Sequence, residues 1–109
     1  MYYKRGNIFD KAAMPDDGTE LTEILLYLDR FRIERIVSDG QQTPEGFWYD
    51  QPGDEWVILI QGEAVVEFEE PGSITLHSGD YLWIPSHVRH RITYTSNEPQ
   101  CIWLAVHSK

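Results

Sequence analysis

The first periodic stretch of the chain is Asp17-Gly18-Thr19-Glu20 followed by Leu21, Ile24, Leu25 and Leu28. A capping residue, an acidic residue three places on and apolar residues three and four apart predict an amphipathic helix there. Its apolar stripe needs cover, either on the outside or mouth of the remaining domain or on a second copy of the chain. Residues 1–30 are therefore read as an N-terminal segment carrying one helix. From Phe31 the pattern shortens to runs rich in β-branched and aromatic residues, at 31–37, 47–49, 56–60, 64–68, 74–76, 81–84, 92–95 and 102–106. Ser38-Asp39-Gly40, Pro52-Gly53-Asp54, Gln61-Gly62, Pro71-Gly72, Ser78-Gly79-Asp80 and Ser96-Asn97 with Pro99 separate them with the residues that tight turns require. Short strands at this spacing predict an all-β sandwich or barrel over residues 31–109, not a parallel α/β sheet.

Two stretches then carry a family resemblance. Glu55, six residues and Gly62 form the first. Gly79, five residues, Pro85, one residue, His87, two residues and His90 form the second, with His87 where the pattern has a glycine. Together they resemble the two motifs of the cupins over residues 31 to 107, which implies a double-stranded β-helix, the jelly-roll cupin barrel, with one central pocket. In that family two histidines and the glutamate of the first motif, with the histidine of the second, hold one metal ion. Glu55 and His90 match. The two remaining positions fall on Tyr49 and Gln51 with a three-residue spacer, or on Trp48 and Asp50 with a four-residue one, and Tyr94 stands where the second motif ends in asparagine.

Charge narrows the partners. With 109 residues the chain makes one domain, and its nine basic against eighteen acidic residues give a net charge of −9, a field that repels phosphate backbones and anionic lipid. No nucleic acid and no membrane partner is expected. The longest apolar runs fall well short of the roughly 20 residues that span a bilayer. Gly6-Asn7 follows the basic start where a secretory signal has its apolar stretch, so a cytoplasmic address is expected. Cys101 has no second cysteine to pair with, and its apolar neighbours place it in a buried strand without a chemical role.

Strand parity gives the candidate chemistry. Glu55, Val57 and Leu59 share one face, as do His90, Ile92 and Tyr94, so each polar residue is aimed at the apolar side. A buried carboxylate requires a cation, a hydrogen-bonding partner or a proton. Gln51, Glu55 and His90 form a mixed oxygen and nitrogen set suited to a divalent ion, Zn, Mn, Fe or Ni, with open positions for water or substrate. Tyr49 and Tyr94 are the candidate catalytic hydroxyls, and Trp48, Asp50 and His87 candidate pocket residues. Arg89 and Arg91 point away from His90 and are expected to pair with surface acids, while His77 and His107 are read as surface residues. The implied function is a metal-dependent enzyme acting on a small molecule, of oxygenase, isomerase or decarboxylase type. The alternative is a non-catalytic binder of a small polar ligand that has lost its metal. The expected helix and an exposed edge at Phe31-Arg32-Ile33 prompt a homodimer formed by strand or helix exchange, by analogy with small members of the family.

Overall fold

A computed structural model describes residues 3–109 of the chain. Eight strands follow one another: β1 (Leu21–Tyr27), β2 (Phe31–Ser38), β3 (Glu55–Gln61), β4 (Glu63–Phe68), β5 (Ser73–His77), β6 (Tyr81–Ile84), β7 (His90–Thr95) and β8 (Cys101–Ser108). Two antiparallel sheets form, one of five strands in the order β1-β2-β8-β3-β6 and one of three in the order β5-β4-β7. The all-β expectation holds with two corrections, one at the N-terminus and one at the run expected over 47–49, which lies in the loop before β3 and joins the barrel only by an isolated bridge from Tyr49 to His90.

The expected helix is strand β1. The Asp17 carboxylate accepts hydrogen bonds from the Thr19 amide and hydroxyl at 3.1 and 2.6 Å, which is the local chemistry of a helix cap. Here it closes an Asx turn that feeds a strand. An isolated helix this short is marginal, whereas β2 offers a full row of backbone partners from Val37 to Arg32. The same pairing corrects the expected exposed edge at Phe31–Ile33, because β2 has β1 on one side and β8 on the other.

The sheets meet over Val57 and Leu59 of β3, Ala64 and Val66 of β4, Leu76, Ile84, and Cys101, Trp103 and Ala105 of β8. Truncating a fully buried residue such as Leu59 to alanine costs about 2–5 kcal/mol. Between β3 and β4 the chain reverses at Gly62, whose φ is +99°. A Cβ there would stand 2.8 Å from Ser96 Oγ and 2.9 Å from Cys101 Sγ, so both conformation and space demand glycine.

One irregularity changes which side chains face inward. The β4–β7 register slips between Val65 and Val66, so Val65 opposes Tyr94 while Val66 opposes Ile92. The bulge gives β7 one extra residue, Thr93, and reverses parity beyond it. Thr95 is buried, and Tyr94 turns outward at 43% exposure.

Candidate functional site

The inner face of the five-stranded sheet and the loop before β3 enclose a cavity of about 530 Å³, a size that suits a small organic ligand. Alternate residues of β2, namely Arg32, Glu34, Ile36 and Ser38, form one wall. Glu55 and Val57 of β3, Leu82 and Ile84 of β6, and Trp103 and His107 of β8 continue the same sheet. The loop pairs with the free edge of β7: Tyr49 N–H donates to His90 O at 2.7 Å, and His90 N–H returns a bond to Tyr49 O at 3.1 Å. Thr43 extends that edge by donating to Ile92 O at 2.8 Å. These bonds hold Tyr49 and Gln51 at the cavity, which resolves the two spacings of the first motif in favour of the shorter one.

Glu55 lies at the centre. Its Oε1 is 3.7 Å from His90 Nε2 and its Oε2 is 3.9 Å from His107 Nε2, with the Glu55 side chain only 12% exposed. Both distances exceed hydrogen-bond length, so each oxygen keeps room for a ligand atom. Burial, reinforced by the charge of Glu34 and opposed by Arg32, pushes the Glu55 carboxyl up to about 7. The His90 ring is fixed on all sides. Its Nδ1–H donates to Val88 O at 3.0 Å, its face stacks on Tyr49 at 5.6 Å, and Phe68 lies 6.0 Å away. That leaves Nε2 directed at Glu55.

A second group of polar residues shares the cavity. His107 Nε2 is 2.9 Å from Glu34 Oε1, yet the two are misaligned and the nitrogen has no hydrogen-bond partner. Burial holds the His107 imidazole below its usual range, with the charge of Arg32 acting in the same direction. Glu34 also receives Arg32 Nε at 3.3 Å. At the other end, Trp103 Nε1–H donates to Ser38 Oγ at 3.1 Å, and Ser38 passes its own proton toward Glu20 Oε2 at 2.9 Å. Desolvation raises the Glu20 carboxyl above its usual value. Burial, and then the charge of Glu20, raises the Tyr49 hydroxyl, which therefore stays protonated at neutral pH.

Of the residues marked in the sequence, Tyr49, Gln51, Glu55 and His90 come together in the cavity. The others lie elsewhere. Trp48 faces outward between the guanidinium groups of Arg89 and Arg91, 5.5 and 5.8 Å from its ring. Those arginines also reach Glu69 at 3.0 Å and Glu67 at 3.3 Å, as expected for residues turned from the pocket. Asp50 and His87 contact each other at 2.7 Å on the exposed surface. His87 has a φ of +63°, the left-handed conformation that explains the glycine normally found there. Tyr94 is outside the cavity because of the β7 bulge. His107, expected at the surface, is instead 7% exposed and part of the cavity wall, because β8 continues in register against both β2 and β3 up to the chain's end.

The ligand set that the family resemblance implies is incomplete in this cavity. Among the described residues no group of three or more His, Cys, Asp or Glu is placed to hold one. The two family positions beside Glu55 and His90 carry a phenol that stays protonated and a neutral amide. Arg32 adds a fixed positive charge to the same cavity.

Two antiparallel sheets enclosing one polar cavity define a small double-stranded β-helix barrel. Residues 36–107 match the Cupin domain family, and the chain belongs to it. A candidate mannose-6-phosphate isomerase from Ralstonia eutropha JMP134 is 41% identical, with a TM-score of 0.89 over 98% of this chain and 99% of that one. A cupin superfamily protein from Desulfitobacterium hafniense DCB-2 is 23% identical, with a TM-score of 0.75 over 99% and 94%. An RmlC-like cupin from Desulfovibrio desulfuricans is 16% identical, with a TM-score of 0.74 over 97% of each chain. These last two show the fold alone. No curated protein matches the chain. Among the described residues no helix is long and apolar enough to cross a membrane.

Proposed function

We propose that the chain is an isomerase-type enzyme that moves a proton on a small hydroxylated molecule held in the cavity, with Glu55 as the acid–base group. The observation that carries this reading is the convergence of two imidazoles on the two oxygens of one buried carboxyl inside an open cavity. A carboxyl pushed up to about 7 populates both its forms near neutral pH, so it can take a proton from carbon and return it to the neighbouring carbon. Tyr49, kept protonated, donates a hydrogen bond to the substrate oxygen on which charge develops. His90 is held by Val88 with its Nε2 3.7 Å from Glu55 Oε1, beside the carboxyl that moves the proton. Such an isomerisation balances without an oxidant or reductant, and in this reading it needs no resident metal.

The substrate class follows from the lining. Apolar Ile36, Val57, Leu82 and Trp103 line the cavity together with the hydroxyl and amide groups of Ser38, Thr43, Tyr49 and Gln51, a mixture that suits a sugar or sugar derivative. The name borne by the 41% identical Ralstonia protein supports the same class. A panel of aldose and ketose sugars, with and without phosphate, tests the reading by interconversion. Glu55→Gln is expected to lower kcat by about 100-fold or more while leaving KM nearly unchanged. Unaltered kcat in that variant overturns the assignment.

A further inference from the structure

Interconverting an aldose and a ketose moves two hydrogens. One shifts between neighbouring carbons, and Glu55 serves it. The other must leave the hydroxyl beside the carbonyl and arrive on the old carbonyl oxygen, and Glu55, occupied at carbon, cannot carry it at the same time. A group that does so has to line the cavity, give up a proton and accept one again within the same turnover.

Glu20 stands where such a group is needed. It precedes β1, and one step beyond the Leu21–Val37 pair it comes opposite Ser38 of β2 at the cavity wall. The turn before it is pinned, because Gln41 Nε2–H donates to Gly18 O at 3.1 Å. The direction of each hydrogen is then forced. The indole Nε1–H of Trp103 can only donate, and it does so to Ser38 Oγ at 3.1 Å. Ser38 is fully buried and has one hydrogen to place, which goes to Glu20 Oε2 at 2.9 Å. Oε2 is thereby fixed as an acceptor, and the proton that Glu20 carries rides on Oε1.

Opposed pulls keep both forms of this carboxyl within reach. Burial favours the acid, the Ser38 bond favours the carboxylate, and the charge of Glu34 on β2 favours the acid again. Beyond burial, the charges of Glu20 and Glu55 both act on the Tyr49 hydroxyl of the loop before β3, so both acids lie near the phenol that holds the substrate oxygen.

We propose that Glu20 is a second catalytic residue, the one that carries the proton between the two substrate oxygens, an inference that rests on the isomerase reading of Glu55. Glu55 takes the proton from the carbon beside the carbonyl, the C–H pair becomes a C=C bond, and the C=O pair goes to oxygen. Glu20 Oε1–H protonates that oxygen, giving an enediol. The Glu20 carboxylate then takes the proton of the neighbouring hydroxyl, whose O–H pair becomes the new C=O bond. The C=C pair takes the proton back from Glu55 at the former carbonyl carbon. Both carboxyls finish as they began, and no oxidant or reductant enters.

The two transfers can be read separately in heavy water. Wild type incubated with glucose, mannose and fructose, free and as their 6-phosphates, is expected to place deuterium on carbon and to form the isomeric sugar. Without an acid at Glu20, Glu55 can still remove and return the carbon proton through an enediolate bonded to Tyr49. Glu20→Gln keeps an oxygen to accept from Ser38, so its circular dichroism should match wild type. It is expected to form isomer about 100-fold more slowly, while exchange into the starting sugar stays within a few-fold of wild type. Isomer formed at the wild-type rate in Glu20→Gln overturns the proposal and leaves the Glu55 reading standing. A parallel loss of exchange and isomer in that variant also overturns it, since Glu20 would then serve sugar binding or the first step. A wild type that shows neither on any of these sugars overturns the Glu55 reading itself, and this inference with it.

Discussion

Replacing Glu55 by glutamine keeps the shape of the side chain and removes its charge, and the effect on stability should depend on pH in a calculable way. In the folded chain burial pushes this carboxyl up to about 7 from the ordinary 4.5, with Glu34 adding to the rise and Arg32 opposing it. Below pH 4.5 both folded and unfolded chains carry the proton, and ionisation costs the fold nothing. Above pH 7 both are ionised and the folded state bears the full penalty, so this group's contribution falls as pH rises through that window. A difference of this size corresponds to about 3 kcal/mol. Relative to wild type, Glu55→Gln should therefore gain about 3 kcal/mol on going from below pH 4.5 to above pH 7. In a domain of this length that is on the order of 10 °C in melting temperature. Glu20, whose pKa is also raised, loses stability in the same direction as Glu55. His107, whose pKa is lowered, gives stability that is lost as pH falls through the ordinary histidine range. Both groups are common to the two proteins and cancel in the difference. Urea unfolding of wild type and variant at both ends of the window provides the numbers. A stability difference that does not change with pH would refute the placement of Glu55 in a desolvated site.

Four further outcomes follow from the same geometry. Gly62→Ala should destabilise by about 2–4 kcal/mol in thermal unfolding, from left-handed strain and the contacts with Ser96 and Cys101 together; a change below about 0.5 kcal/mol would contradict the packing. Arg35→Ala should release the N-terminal segment by removing its bonds to Ile8 and Asp10, so limited proteolysis should cut within residues 5–20 much faster than in wild type, and an unchanged pattern would show that the segment is held otherwise. Tyr94→Ser, on the outer side of the β7 bulge, should leave sugar binding by calorimetry unaltered, whereas Tyr49→Phe should weaken it; the reverse ranking would place the bulge wrongly. Incubation with Mn, Fe, Ni or Zn followed by gel filtration and elemental analysis should leave well under one ion per chain, and a stoichiometric ion lost in His90→Ala would restore the metal reading.

Much of the architecture was legible because turn residues and period-two runs marked the strands of the barrel. The two half-motifs located Glu55, Gly62 and His90, and strand parity aimed Glu55 inward beside Val57 and Leu59. Local chemistry misled at Asp17-Gly18-Thr19-Glu20, where one and the same side-chain bond serves a helix cap and an Asx turn. Nothing local says that β2 needs a partner there. Parity also failed at Tyr94, since a bulge leaves no clear mark in sequence and depends on which strand lies opposite. On β2 the polar residues Arg32, Glu34 and Ser38 alternate with apolar Ile33 and Val37, the pattern of a strand with its polar side in water. They line the cavity instead, and the apolar side is the outer one. His107 could have been found, because it shares parity with Cys101, Trp103 and Ala105 on β8. Its nearness to the chain end outweighed that signal.

Solvent deuterium exchange tests the central claim most directly. With sugar substrate in heavy water, NMR should show wild type placing deuterium on the carbon beside the carbonyl, and Glu55→Gln should lose that exchange while still binding the sugar. Exchange that continues undiminished in Glu55→Gln would contradict the account.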